Sequence, residues 1–423
     1  MRRAMVAAAP LLALAALLGA CGPNPPKQEK VEARVEEACK LPGLTPALRE
    51  TTILIDRSAI DPAEPSTFRQ VNARLFDIVT GLGTAQRALE SGAMAPRERL
   101  TVKLVDPGSG ASEQVFTGCL PGLTEAELAA RGKQGEDGAV DQFFGRDMAS
   151  TLNRQREAFL NKLIIAVVNA PVAPRARGGD DFAGSGLNRL IRAIGAGADR
   201  QDVVRRVILY ANPAGALGSL PTAWQAAREA GFKLAADQGG DLGLAEVYLV
   251  PSKGEVSDVQ RAFLDAYILG SKADLVAAGP FTPDRLSKPP VALTRFAGDI
   301  RLQADGNPAP LTLRLATTAD QRLVGSWITY AGSRGLRSTP LAGQFICAED
   351  SACQLRGDPG LTLGQRWRTE PGTAVQVMAD QPFAGMRDIT ASGDSEMLKG
   401  KISDPIIRVI GLDEVQFTAR RSN

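Results

Sequence analysis

Three short runs in this chain are β-branched or apolar on consecutive residues rather than alternate ones: Thr51 to Ile55, Val207 to Tyr210 and Val247 to Val250. A strand with one face in water alternates polar and apolar side chains, so a strand apolar throughout must be covered on both faces. Helices supply such covers, and helical spacing follows each run. After Pro62 and Pro65, the residues Phe68, Val71, Leu75, Ile78, Val79 and Leu82 recur on one stripe, with Ser66 expected as the cap. Pro221 to Gly231 reads as a helix with Pro at its start and Gly at its end. Val256, Val259, Phe263 and Tyr267 mark the helix after the third run.

Between the first and second runs, Leu100 to Val105 and Glu113 to Thr117 flank a DPGSGAS turn and are expected to form an antiparallel hairpin at a sheet edge. A long helix is expected from about Gln142 to Ala170, with Phe159, Leu163 and Val167 on one stripe. Leu187, Leu190, Ile191 and Ile194 predict a short amphipathic helix before Val207. Alternation of this kind predicts an α/β fold, a mostly parallel sheet flanked by helices.

Beyond the Pro-rich FTPDRLSKPP segment, residues 281–290, the pattern changes to short alternating stretches separated by Gly, Pro, Asp and Asn. Leu311 to Leu315, Val324 to Tyr330, Gln344 to Cys347, Val375 to Met378, Ile406 to Ile410 and Glu414 to Thr418 suit strands of an antiparallel sandwich or small barrel. The chain is therefore divided into an α/β domain over 39–280, a linker over 281–290 and a smaller β-rich domain over 291–423. Trp327, Tyr330 and Trp367 are expected to pack in the core of the second domain, with an exposed aromatic contact site as the other use.

The first 20 residues have the parts of an export signal: Arg2 and Arg3, an apolar run from Val6 to Leu18, and small residues at its end. That run is shorter than the roughly 20 residues a membrane span needs. Leu18-Gly19-Ala20-Cys21 resembles a lipobox, which implies lipidation of Cys21 and anchoring in a bacterial envelope. Residues 21–38 are rich in Pro and charge, as expected of a tether. Gly22, rather than Asp, after the anchor favours the outer over the inner membrane, with the folded domains on the periplasmic side. Of five cysteines, four remain: Cys39, Cys119, Cys347 and Cys353. In an oxidising compartment they are expected to form two disulfides, Cys347 with Cys353 across a polar turn and Cys39 with Cys119, free buried thiols being the alternative.

The chain contains no histidine. Ser-His-Asp and Cys-His nucleophilic sites, HExxH zinc sites and His-ligated metal centres are thereby excluded. A net charge of +2 argues against a nucleic-acid partner.

At Ile53 to Ser58, Ser185 to Ile194 and Val207 to Asn212 the chain resembles a von Willebrand factor A domain, over roughly half its length. The resemblance implies a metal-dependent adhesion site above the C-terminal ends of the strands. Asp56 and Ser58 match the first two ligands, Ile60 occupies the third, Ser185 stands for the usual Thr and Asn212 for the usual Asp. A hard cation needs near-complete oxygen coordination. The site is therefore expected to be degenerate, with Asp56 and Ser58 serving local hydrogen bonds; no cofactor is expected, Mg²⁺ or Mn²⁺ being the ions such a site would favour.

The leading functional expectation is a non-enzymatic, membrane-anchored binding or scaffolding protein that presents both domains to an envelope protein or polysaccharide. One alternative is a hydrolase of envelope substrates using the loop acids Asp56, Asp106 and Asp241. Another is small-ligand capture at the C-terminal edge of the sheet.

Overall fold

The computed structural model describes residues 39, 46–59, 65–80, 93–106, 110–124, 127, 141–169, 202–211, 220–238, 240–252, 254–280, 285–301, 307–332, 335–348, 352–357, 389–402 and 415–422. The expected helix at Leu187 to Ile194, the stretches Val375 to Met378 and Ile406 to Ile410, Trp367, and Cys21, the expected lipidation site, lie outside the described residues.

All three consecutive apolar runs are strands of one six-stranded sheet. β1 (Arg49–Asp56) lies between β2 (Arg99–Val105) and β4 (Val204–Ala211), parallel to both, and β5 (Ala245–Pro251) and β6 (Ala273–Ala278) continue the parallel set. β3 (Ser112–Cys119) pairs antiparallel with β2 and gives the order β3-β2-β1-β4-β5-β6. Every residue of β4 is buried, as a central strand covered on both faces requires. The sixth strand, Ala-Asp-Leu-Val-Ala-Ala, was not expected from the sequence; an edge strand rich in alanine has a weak strand signal of its own.

Alternate side chains of each strand enter two separate cores. Ile53, Ile55, Val102, Leu104 and Ile208 face helices α1 (Pro65–Thr80) and α2 (Asp141–Asn169), while Leu54, Val207, Leu209, Val247 and Leu249 face α3 (Trp224–Gln238) and α4 (Asp258–Gly270). The α2 stripe is the expected one: Phe159, Leu163 and Val167 are fully buried, each worth about 1.5–3 kcal/mol of transfer from water. Phe159 meets Phe116 of β3 edge-to-face at 5.1 Å. A capping box starts α4: Gln260 N donates to Ser257 Oγ at 3.3 Å, and Ser257 N donates to Gln260 Oε1 at 2.9 Å.

Three helix ends differ from expectation. α1 begins at Pro65, so Ser66 lies inside its first turn rather than capping it, consistent with the preference of Pro for that turn. α3 begins at Trp224 rather than Pro221, and it does not stop at Gly231 but runs on to Gln238. Gly231 is instead the contact between helices: a Cβ there would sit 2.4 Å from the Phe263 carbonyl oxygen of α4. The residue read as a helix end is a packing residue.

The C-terminal part is a nine-stranded antiparallel sheet, from β7 (Ala292–Arg301) through β8 (Ala309–Thr317), β9 (Ser326–Gly332), β10 (Gly335–Leu341), β11 (Gly343–Cys347), β12 (Ala352–Gly357), β13 (Ile389–Asp394) and β14 (Met397–Ile402) to β15 (Val415–Arg421). Of these, β7, β10, β12, β13 and β14 went unread in the sequence, because Gly, Ser, Thr and Lys dilute their alternation. The sheet curls so that β11 returns to the β8–β9 connection, where Leu323 N donates to Gly343 O at 2.9 Å and Phe345 N to Gln321 O at 3.1 Å. One core fills the curl and takes in Tyr330, while Trp327, also buried, lies outside that core, on the face of β9 opposite Ile328. Both disulfides are formed in the expected pairing, Cys347–Cys353 across the β11–β12 hairpin and Cys39–Cys119 at the end of β3. Among the described residues no helix is long and apolar enough to cross a membrane.

Candidate functional site

In an open α/β sheet, ligands bind beyond the carboxyl ends of the strands where the order reverses. Here the chain moves from β1 outward to β2 and β3 and then returns to β4 on the other side of β1, so the reversal lies between β1 and β4. β1 ends at Asp56, which is buried and opposite Val105 of β2. The single turn Arg57–Ala59 follows and carries the Ser58 backbone; Arg57 Nη2 pairs with Glu113 Oε2 of β3. Asp106 follows β2 at the same end, and its backbone closes the hairpin turn, its N–H donating to Ala111 O at 2.9 Å and its carbonyl accepting from Gly110 N at 2.7 Å. Across the reversal, β4 ends at Ala211, whose carbonyl accepts from Ser252 N at 2.8 Å. Ser252 Oγ and Arg57 Nε are both buried without a hydrogen-bond partner.

Of the residues the sequence singled out, Asp56 and Asp106 therefore share one end of the sheet. Ser185 and Asn212 lie outside the described residues; Asn212 is the residue after Ala211. Asp241 belongs elsewhere. It precedes β5 at the opposite end of the sheet, where it accepts from Lys272 Nζ at 2.7 Å and Gly243 N at 2.8 Å. Burial alone would raise its pKa, yet Lys272 and the Gly243 amide hold it below the ordinary value. The three acids considered for hydrolysis thus do not form one group.

The metal ligands implied by the A-domain resemblance fit poorly. Position 60 is an isoleucine without an oxygen donor, and among the described residues no three His, Cys, Asp or Glu side chains converge. Mg²⁺ demands a near-complete oxygen shell, to which the side chain at position 60 contributes nothing.

The opposite end of the sheet holds a cluster that sequence reading missed. Arg49 opens β1 and donates through Nε and Nη2 to Glu98 Oε1 and Oε2 at 3.0 and 2.9 Å. Its Nη2 also reaches Ala93 O, and its Nη1 the linker carbonyl of Ser287, both at 2.8 Å. Arg206 near the start of β4 donates to Thr51 Oγ1 at 2.9 Å and to Glu98 Oε1 at 3.2 Å. Thr51 Oγ1 also hydrogen-bonds Glu98 Oε1, and Ala95 N donates to Glu98 Oε2 at 2.8 Å. The side chains of Arg49, Glu98 and Arg206 are wholly out of water.

Burial alone would raise the Glu98 pKa, but the two guanidiniums hold it below the ordinary carboxylate range. Burial, with Arg49 alongside, lowers that of Arg206 to about 10. Glu246 near the start of β5 supplies the second negative charge. Its Oε2 accepts from Ser287 Oγ at 2.6 Å and its Oε1 from Gly325 N of the β domain at 2.9 Å. Tyr248, whose pKa is raised by burial and then by Glu246, accepts from Ser287 N at 2.9 Å. Arg314 Nη2 of β8 donates to Val203 O. Arg49, Glu98, Arg206 and Glu246, with Arg314 of β8 beside them, thus form a buried charged joint between sheet, linker and β domain.

The signal for this cluster was present as charged residues beside the apolar runs, Arg49 before Thr51, Arg206 before Val207 and Glu246 before Val247. Partners separated by up to 238 residues were not. No protein-family model and no curated protein sequence matches the chain.

Proposed function

We propose that this chain is an envelope lipoprotein, anchored through Cys21, that acts by binding rather than catalysis and presents a von Willebrand A-like domain to another envelope component. The observation that carries the reading is the division between the two ends of the parallel sheet. Its amino end is committed to the buried joint with the β domain, while its carboxyl end, with Asp56 at the strand-order reversal, points the other way. Seven residue steps along β1 separate the two ends by about 23 Å. A scaffold that holds its neighbour at one end and offers the other suits a protein displayed from a tether. Five parallel strands with one antiparallel edge strand, and an aspartate ending β1, support the A-like reading.

Site-specific photocrosslinking in intact cells tests it. A photoreactive residue at Glu255, exposed beyond the carboxyl end of β5, should capture a reproducible partner, and one at Lys272, at the other end, should not. Capture from neither position, or the same adduct from both, refutes the reading. Cys21→Ser should move the protein from the membrane pellet to the soluble fraction; retention in the pellet would exclude the anchor.

A further inference from the structure

The outer face of the β domain carries a groove of about 820 Å³ across strands β12, β13, β14, β15 and β7. Side chains on this face stand in two cross-strand rows fixed by the strand register. The first is Arg356, Thr390, Lys401, Gln416, Arg301, each directly opposite the next. The second, two residues along, is Gln354, Ser392, Lys399, Thr418, Asp299. All ten positions are exposed and alternate with core residues such as Leu355, Leu398 and Phe417.

The first row places a cation on every second strand. With strands about 4.8 Å apart, its charges repeat at about 10 Å over about 20 Å. The positions between them are neutral hydrogen-bonding side chains, Thr390 and Gln416, and the second row adds Ser392 and Thr418. Four cations and one carboxylate line the groove among the described residues. Among the described residues, Arg356 donates to the neutral Gln354 Oε1 at 3.2 Å and to no carboxylate.

Repeated cations separated by hydroxyl and amide groups match a linear chain whose repeated anions are separated by hydroxyl-bearing units. Arginine forks bind carboxylate in two parallel hydrogen bonds, and threonine, serine and glutamine suit sugar hydroxyls. Single-stranded nucleic acid asks for something else, aromatic platforms on which bases stack. The aromatic residue lining this groove, Phe417, is buried with its ring in the core.

We propose that this face of the β domain is a binding site for a carboxylate-bearing acidic polysaccharide, laid across the strands along the Arg356–Arg301 row. The site is separate from the carboxyl end of the parallel sheet and does not depend on the reading given to that end.

The test uses the purified full chain in detergent and fluorescently labelled polygalacturonate, with dextran of equal length as the neutral control and oligothymidylate as the nucleic-acid control. Polygalacturonate should bind at low salt, weaken as salt screens the charges, and bind more tightly than either control. The double variant Arg301→Gln/Arg356→Gln should weaken binding about tenfold or more. Lys233→Gln, an exposed lysine on α3 of the other domain, should leave it unchanged. Unaltered circular dichroism of the double variant keeps the comparison valid, and Lys399→Gln alone, expected to weaken binding about threefold, replaces it if the pair disturbs folding. Absence of polygalacturonate binding at low salt, tighter binding of oligothymidylate, or equal affinity in the groove variants would overturn the proposal. None of these outcomes bears on crosslinking at Glu255.

Discussion

Replacing Glu98 by glutamine removes one negative charge from the buried joint while preserving its shape. Five hydrogen bonds converge on the carboxylate, two from Arg49 and one each from Arg206, Thr51 and the Ala95 amide. A glutamine offers one acceptor oxygen and turns an NH₂ group, itself a donor, toward donors. Two buried guanidiniums then lose the carboxylate that both contact, and Glu246 acts on Arg206 only through space. Removing one partner of a buried ion pair costs about 3–5 kcal/mol because the other charge stays buried and uncompensated.

With a urea dependence of about 3 kcal/mol per molar, the upper end for small proteins, the unfolding midpoint should fall by about 1 M. The pH dependence gives a second readout. The folded-state pKa of Glu98 lies below its ordinary value of 4.5, so its contribution is complete above that value and is lost as pH falls through the folded pKa. The difference between wild type and Glu98→Gln should therefore be full at pH 7 and shrink below pH 4.5. Urea titrations followed by circular dichroism at pH 7 and at pH 3 measure both. A difference under about 1 kcal/mol at pH 7, against the 3–5 expected for a buried pair, or one that does not change on acidification, would refute the assignment of Glu98 as the charged centre of the joint.

Gly325 has φ +50°, and a Cβ there would lie 2.4 Å from Val204 Cγ1, so Gly325→Val should both strain the backbone and push the β domain off β4. Limited proteolysis should then cut the 281–290 linker faster than in wild type. Gly231→Ala should lower the melting temperature, although alanine is the better helix former by about 1 kcal/mol, because the added carbon meets the Phe263 carbonyl. The two disulfides should differ in worth according to the chain they close. Their separations of 80 and 6 residues give, by loop entropy, about 4.5 kcal/mol for Cys39–Cys119 and about 2.2 kcal/mol for Cys347–Cys353. Denaturant titrations of Cys119→Ser and Cys353→Ser compare them.

Local chemistry made much of the α/β half legible. Consecutive apolar residues in β1, β4 and β5 cannot face water on either side, so a doubly covered sheet followed from composition alone. The α2 stripe and the β2–β3 hairpin followed from period and turn residues, and the cysteine pairing from their even number and spacing. The weak points were places where a residue's local meaning and its tertiary use diverge. Gly231 reads as a helix end, and α4 makes it a crossing point. Asp56, Asp106 and Asp241 look equivalent as loop acids, and strand direction sends the third to the far end of the sheet. The β12–β14 strands carry lysine, serine and glycine because one face is wet, and their two rows exist only once register sets residues from five strands side by side.

The sequence by itself determined that residues 39–280 would alternate strand and helix, that no imidazole chemistry is available, and that four cysteines could pair. Only the tertiary structure decided which charges meet. Arg49, Glu98, Arg206 and Glu246 lie on four segments of the chain, and each is costly to bury alone. They become tolerable together because parallel strands bring their amino ends to one edge, a coincidence in space that no local pattern along the chain encodes.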